Sequence, residues 1–265
     1  MEEVRSKRMK IDEVFCNTFK ALRHELGHDK PKDMRPMWQR RLSADSDFCR
    51  AMVGCGYLTR EQMQRAVQRY RLGRSRDGGV IFWQIDTLGQ IFDGKIMHYH
   101  PDGHRDHDRK PYWVSHALKH HYLKDDPQLA AEIPSQHCLF GTHLLREKGI
   151  VKSEKYAAAV AVVEAEKTAV ILSEVYPDFL WLAAGGLYEL TAVKLFPLRG
   201  HRIILFPDTD PDGTAFSTWY RVMLEAQRLL GQTVHLSSLL EQKATPDQKH
   251  RKIDLVDFLE DNRAF

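Results

Sequence analysis

The chain has 265 residues and a mass of 30.8 kDa, enough for one large domain or two small ones. Hydrophobic residues make up 43 % and charged residues 28 %, which excludes collagen, a coiled coil and a wholly disordered chain. The net charge of +3 hides an asymmetry: residues 1–76 hold 18 Lys and Arg against 10 Asp and Glu, and residues 77–265 hold 21 against 26. A basic arm on an acidic body suits a protein that grips a polyanion with one part and does metal chemistry with another.

The longest apolar runs, Ala157–Val163 and Phe179–Ala184, fall far short of the roughly 20 residues that a membrane span needs. Met1–Lys10 is charged, so no secretory signal is expected. Four scattered cysteines form no CxxC, which argues against a disulfide framework and a zinc knuckle. The expectation is a reducing, cytoplasmic setting without a membrane.

In chain order, residues 11–27 place Ile11, Val14, Phe15, Phe19, Leu22 and Leu26 at helical spacing. His28–Pro36 reads as a linker. Ser46–Gly54 is a short helix. Thr59 and Gln62 form a capping box that opens a helix to about Leu72, and Gly73–Gly79 is a turn. Val80–Asp86 and Gln90–Tyr99 are rich in β-branched and aromatic residues and read as a hairpin. Pro101–Lys110 is a polar loop, Tyr112–His116 a further strand, and Cys138–Leu145 closes this segment.

From Tyr156 strands and helices alternate. Ala157–Val163, Phe179–Ala183, His201–Phe206 and Thr233–Leu236 read as strands. Lys167–Val175, Leu187–Leu195, Ala215–Leu230 and Asp254–Asn262 read as helices. Apolar strands separated by helices imply a parallel sheet covered on both faces.

In such sheets, chemistry sits beyond the C-terminal ends of the strands. Glu164 ends the first strand there. Asp208 and Asp210 follow the third, in the turn Pro207–Gly213, and Asp254 and Asp257 open the last helix. A D-x-D at a strand end places two hard oxygen donors together, as Mg²⁺ prefers. A lone D-x-D would more often be turn chemistry. The ordered set on one sheet edge raises the odds of a metal site.

At these residues a resemblance emerges. AVVEAEKTAVIL resembles the first motif of Toprim domains, ILFPDTDPDGTAF their D-x-D motif, WLAAGG their small-residue turn, and KIDLVDFL the late acidic motif of primase-type members. Upstream, GGVIFWQIDTLGQIFDGKI, KPYWVSH and HCLFGTHLL resemble segments of the DnaG-type primase core, and Toprim proteins of bacterial mobile elements look closer still. The resemblance implies an α/β fold in which a Toprim parallel sheet flanked by helices follows a small β-rich subdomain and a helical N-terminal region. The expected boundaries are 1–75, 76–150 and 151–265.

It further implies primer synthesis on a single-stranded DNA template from ribonucleoside triphosphates, with Mg²⁺ (or Mn²⁺) and a helicase or replication initiator as a further partner. Glu164 would be the catalytic residue, as general base or as a metal-side carboxylate. Asp208, Asp210 and Asp254 would hold metal, with Asp212 a weaker candidate and Asp257 a helix-start carboxylate. Lys95, Lys110, Lys167, Arg109 and Tyr112 would contact nucleic acid or nucleotide.

Two residues depart from the pattern: Ala165 replaces a glycine, and Thr168 stands where primases often carry an Asp. These departures leave a non-catalytic nucleic-acid-binding protein open. A Toprim nuclease using the same carboxylates on water is the other alternative, although no GxxxxGK[ST] is present for an accompanying ATPase. Nine of the 14 histidines lie between His98 and His143, including the pair at 98 and 100. Their spacing matches no established zinc site.

Overall fold

A computed structural model describes residues 37–122, 137–146 and 159–262. The helix expected at 11–27 and the linker at 28–36 lie outside the described residues. The chain divides into two compact units, residues 1–137 and 138–265.

In the first unit, helices α1 (Met37–Arg41), α2 (Asp47–Gly54) and α3 (Arg60–Tyr70) precede an antiparallel sheet. Ser46 caps α2, and Thr59 with Gln62 forms the expected capping box of α3. The sheet runs in sequence order through β1 (Gly73–Arg74), β2 (Val80–Ile85), β3 (Ile91–Met97) and β4 (Tyr112–Trp113). Gly73 and Arg74, expected in a turn, instead pair with Ile81 and Val80.

Trp83 is wholly buried in the middle of this sheet, between two glycines. A Cβ on Gly94, its partner across the ladder, would come within 2.7 Å of the indole, and one on Gly73 within 2.8 Å. The glycines make room for the ring, and Trp83 is core.

The strand expected at Tyr112–His116 stops after Trp113, and helix α4 (Val114–Tyr122) begins. Its cause lies in β3. Buried Asp93 accepts hydrogen bonds from the Ser115 backbone N–H (3.0 Å) and from its hydroxyl, which holds the first turn of the helix.

The second unit is a parallel α/β sheet in the order β6-β5-β7-β8. Its strands are β5 (Val160–Val163), β6 (Leu180–Ala183), β7 (Ile203–Phe206) and β8 (Val234–Leu236). Helix α5 (Glu166–Val175) packs on β6 and β5, and α6 (Thr214–Leu230) packs on β8. β5 and β6 are buried at every residue, as parallel strands between covering layers require. Phe140 bridges to Ala183, so the segment at Cys138–Leu145 pairs with this second sheet.

Leu187–Leu195 is not the expected helix. Gly185 and Gly186 take positive φ (94° and 154°), and a 3₁₀ turn forms only at Val193–Leu198, around Pro197. The Leu187 carbonyl accepts from the Trp219 indole (3.1 Å), which ties it to α6 rather than to a helical turn of its own.

Three short helices complete the unit: α7 (Leu239–Lys243), α8 (Pro246–Arg251) and α9 (Leu255–Asp261). The first two were not anticipated, although Thr245-Pro246-Asp247-Gln248 is a capping box with proline at the first helical position.

Candidate active site

The strand order reverses at β5. The connection through α5 carries the chain to β6 on one side, and the next strand, β7, returns to the other. The crevice beyond the C-terminal ends of β5 and β7 is therefore the switch point, where open α/β sheets bind their ligands. Val163 pairs in register with Phe206. Glu164 and Asp208 thus leave adjacent strands at the same edge, one and two residues beyond the last paired position.

The loop after β7 is held from two sides. The Thr209 N–H donates to the Ile253 carbonyl (3.2 Å), which brings the D-x-D turn beside the start of α9. Asp210 fixes the turn itself. Its carboxylate accepts from the backbone N–H groups of Asp212 and Thr214 (both 3.0 Å) and Ala215 (2.7 Å). Gly213, the N-cap residue of α6, has no side chain to do this. Burial acts to raise the Asp210 carboxyl, but the backbone donors of Ala215, Thr214 and Asp212, with the charge of Lys252, outweigh it and hold the group below its ordinary value.

Asp208 is in the opposite situation. Desolvation, then the charges of Glu164, Asp254 and Asp257, push its carboxyl well above the ordinary range, and Lys167 only partly offsets them. The strand-end Glu and the two acids that open α9 therefore all bear on the first Asp of the D-x-D. Asp257 is raised too, by burial and then by Asp254.

Asp254 and Asp257 form a capping box: Asp254 Oδ1 accepts from the Asp257 N–H (2.9 Å), and Asp257 Oδ2 from the Asp254 N–H (3.2 Å). The other Asp254 oxygen accepts from the Thr168 hydroxyl on α5. Thr168 therefore donates a hydrogen bond where an Asp would have added a further charge. Lys167, 13 % exposed, places its Nζ 3.9 Å from Asp257 Oδ1. The Thr209 hydroxyl, inside the D-x-D, is buried without a hydrogen-bond partner.

A hard divalent cation fits this edge in charge and donor type. Glu164 and Asp208 repel one another, and a cation between them would relieve that repulsion. Among the described residues, no group of three or more His, Cys, Asp or Glu side chains is disposed to hold a metal ion. Mg²⁺ commonly takes only one or two carboxylates from the protein and completes its shell with waters and substrate phosphates. Glu164 and Asp208 would be those two here.

Of the other expected contacts, Lys167 lies in the same unit as this cluster and faces Asp257. Lys95, Lys110, Arg109 and Tyr112 belong to the first unit. Lys110 is exposed, and Lys95 lies opposite Trp113 on β3. Arg109 Nη1 lies 2.9 Å from the His98 ring.

His98 is the centre of a network that the sequence did not disclose. Its Nδ1 lies 2.8 Å from Asp47 Oδ2 at the start of α2, and its Nε2 lies 3.0 Å from Asp77 Oδ2 in the β1–β2 turn. The carboxylates occupy opposite sides of the ring, so the three side chains cross-link elements rather than enclose an ion. Trp113 stacks on His137 at 3.8 Å between centroids.

A protein-family model described as a domain of unknown function (DUF6371) matches residues 46–209. No curated protein matches the chain. Among solved structures, the chain is similar to the primase fragment of the bacteriophage T7 primase-helicase protein, at 15 % identity and a TM-score of 0.42. The match covers 82 % of this chain and 76 % of that one.

Proposed function

The chain belongs to the DUF6371 family, and we propose that it is a Toprim-type nucleotidyltransferase that makes short RNA primers on single-stranded DNA. The observation that carries this reading is the convergence of Glu164, Asp208, Asp254 and Asp257 on the switch-point edge of a parallel sheet, with Asp208 desolvated among like charges. Fixed carboxylates at a substrate crevice suit phosphoryl transfer, where catalysis is mostly positioning and charge stabilisation.

In this reading Glu164 accepts the proton of the primer 3′-hydroxyl. The hydroxyl oxygen bonds to the α-phosphorus of the incoming nucleotide, and the bond to the departing pyrophosphate breaks. Glu164 and Asp208 would hold Mg²⁺ (or Mn²⁺), which supplies charge stabilisation to the phosphoryl oxygens. Asp210 fixes the D-x-D turn that carries Asp208. Lys95, Lys110, Arg109 and Tyr112 are the proposed contacts to template and nucleotide, through charge and stacking. A helicase or initiator is the proposed further partner, and a bacterial mobile element the proposed setting.

The test is primer synthesis on single-stranded DNA with labelled ribonucleotides, in Mg²⁺ and in Mn²⁺, beside Asp208→Ala and Glu164→Gln. Short products that fall at least a hundredfold in both variants support the reading. Loss of the input DNA that depends on Asp208 would replace it with a nuclease. DNA binding with neither product nor degradation would replace it with an accessory role.

A further inference from the structure

We propose that Trp113 and His137 form one stacking platform for an unpaired base, beside Lys95 on the first sheet. The inference deepens the reading of Lys95 as a nucleic-acid contact and rests on it. It places the stacking surface at Trp113 rather than at Tyr112.

The register of β3 and β4 decides which aromatic shares a face with the lysine. Trp113 pairs directly with Lys95, and Tyr112 pairs with Ile96. Directly opposed residues of an antiparallel ladder lie on the same face, and successive residues of a strand lie on opposite faces. Trp113 and Lys95 therefore stand side by side. Tyr112 lies on the other face, where its hydroxyl is hydrogen-bonded to Asp77 of the β1–β2 turn. An aromatic ring beside an ammonium is the pair that grips a single strand, the ring against a base and the charge against a phosphate.

The indole already carries one stacked partner. The His137 ring lies on it at 3.8 Å between centroids and 20° between planes. A base laid against this pair would extend the stack by one ring. Trp113 is half-buried and His137 is 19 % exposed, so both rings keep surface in contact with solvent.

The pair is also held from within. His137 Nε2 lies 3.5 Å from Asp93 Oδ2, and Asp93 is wholly buried. The carboxylate is itself fixed, because it accepts from the Ser115 N–H (3.0 Å) and from the Ser115 hydroxyl. Ser115 stands two residues beyond Trp113, so one buried acid ties together the stretch that carries the indole and the imidazole stacked on it. A platform fixed before binding spares the cost of ordering loose side chains when the base arrives.

The test compares binding of a short oligothymidylate with that of an abasic strand of the same length, by fluorescence anisotropy on the full-length chain. The two strands share their phosphates and differ in their bases. The wild type is expected to bind the oligothymidylate about fivefold tighter or more, the lower end of what one stacked base contributes. Trp113→Leu is expected to lose that margin with its affinity for the abasic strand unchanged. Trp113→Phe, which keeps a ring, is expected to retain part of the margin, and His137→Leu to reduce it.

Equal affinity of the wild type for the two strands would overturn the proposal without any variant, and so even if Trp113→Leu does not fold. A margin that survives Trp113→Leu and disappears in Tyr112→Leu would overturn it and return the stacking contact to Tyr112. Lys95→Ala tests the underlying contact separately: it is expected to weaken both strands alike. Unchanged binding of both strands by Lys95→Ala sinks the reading of Lys95, whereas the margin between the strands decides the platform.

Discussion

A carboxylate desolvated beside three others opposes folding whenever it is ionised, and Asp208 is in that position. Its folded-state value lies above its unfolded one. No penalty exists at a pH below the unfolded value of about 4. The penalty grows as pH rises through the interval between the two values, and it is complete above the folded one. Asp208→Asn keeps the shape and removes the charge. The variant should therefore melt a few degrees higher than the wild type at neutral pH without divalent cation. The difference should shrink as the pH falls toward about 4. Added Mg²⁺ should raise the wild-type melting temperature and leave that of Asp208→Asn unmoved. Scanning calorimetry across pH checks this. An Asp208→Asn chain less stable than the wild type at neutral pH would show that the carboxylate is a structural acceptor instead.

At the scale of elements, the first sheet depends on the space left around one ring. Trp83 stands across the ladder from Gly94, and a Cβ there would meet its Cε3 at 2.7 Å and Ile81 Cγ2 at 2.8 Å. Both neighbours are buried core atoms that cannot swing into solvent. Gly94→Ala should cost about 1–3 kcal/mol by overpacking. Gly54→Ala, at the end of α2, meets nothing within 4 Å and should stay within about 0.5 kcal/mol of the wild type. Chemical denaturation of the two variants side by side separates overpacking from a general intolerance of glycine replacement.

The same elements show what the sequence could disclose. The strands of the parallel sheet were legible because each is a short apolar run, and Glu164 and Asp208 were legible because they follow such runs directly. Helix α4 was read as a strand because Tyr112 and Trp113 are strand formers. The residue that starts the helix, Asp93, lies more than 20 positions upstream and acts only through tertiary contact. The turn after β6 was read as a helix because Leu187–Leu195 is apolar at suitable spacing, while the Trp219 indole that claims the Leu187 carbonyl is distant in sequence. Helix α8 needed no tertiary knowledge, since Thr245, Pro246 and Gln248 carry its start signal. Within the site, the D-x-D gave no hint that its two acids differ. That difference depends on backbone donors around Asp210 and on the acids of α9 around Asp208.

For the whole molecule, charge and chemistry are separated along the chain. Residues 1–76 hold 18 Lys and Arg against 10 Asp and Glu, whereas the acidic cluster belongs to the unit that starts at residue 138. A basic N-terminal region suits retention of a nucleic-acid backbone, and the crevice between β5 and β7 suits chemistry on a phosphate. If single-stranded DNA is gripped through its phosphates, binding must release counter-ions, and log K must fall linearly with log salt. The slope counts the phosphates neutralised, at about 0.7 per contact on a single strand. Lys110 is exposed at the end of the polar loop, so its removal should leave the fold intact. Lys110→Ala should lower the slope by about 0.7 and weaken binding several-fold at low salt, with the melting temperature unchanged. Fluorescence anisotropy of a labelled oligonucleotide over a salt series measures both quantities at once. A slope identical to that of the wild type would remove Lys110 from the nucleic-acid contact and leave the basic N-terminal residues as the source of the grip.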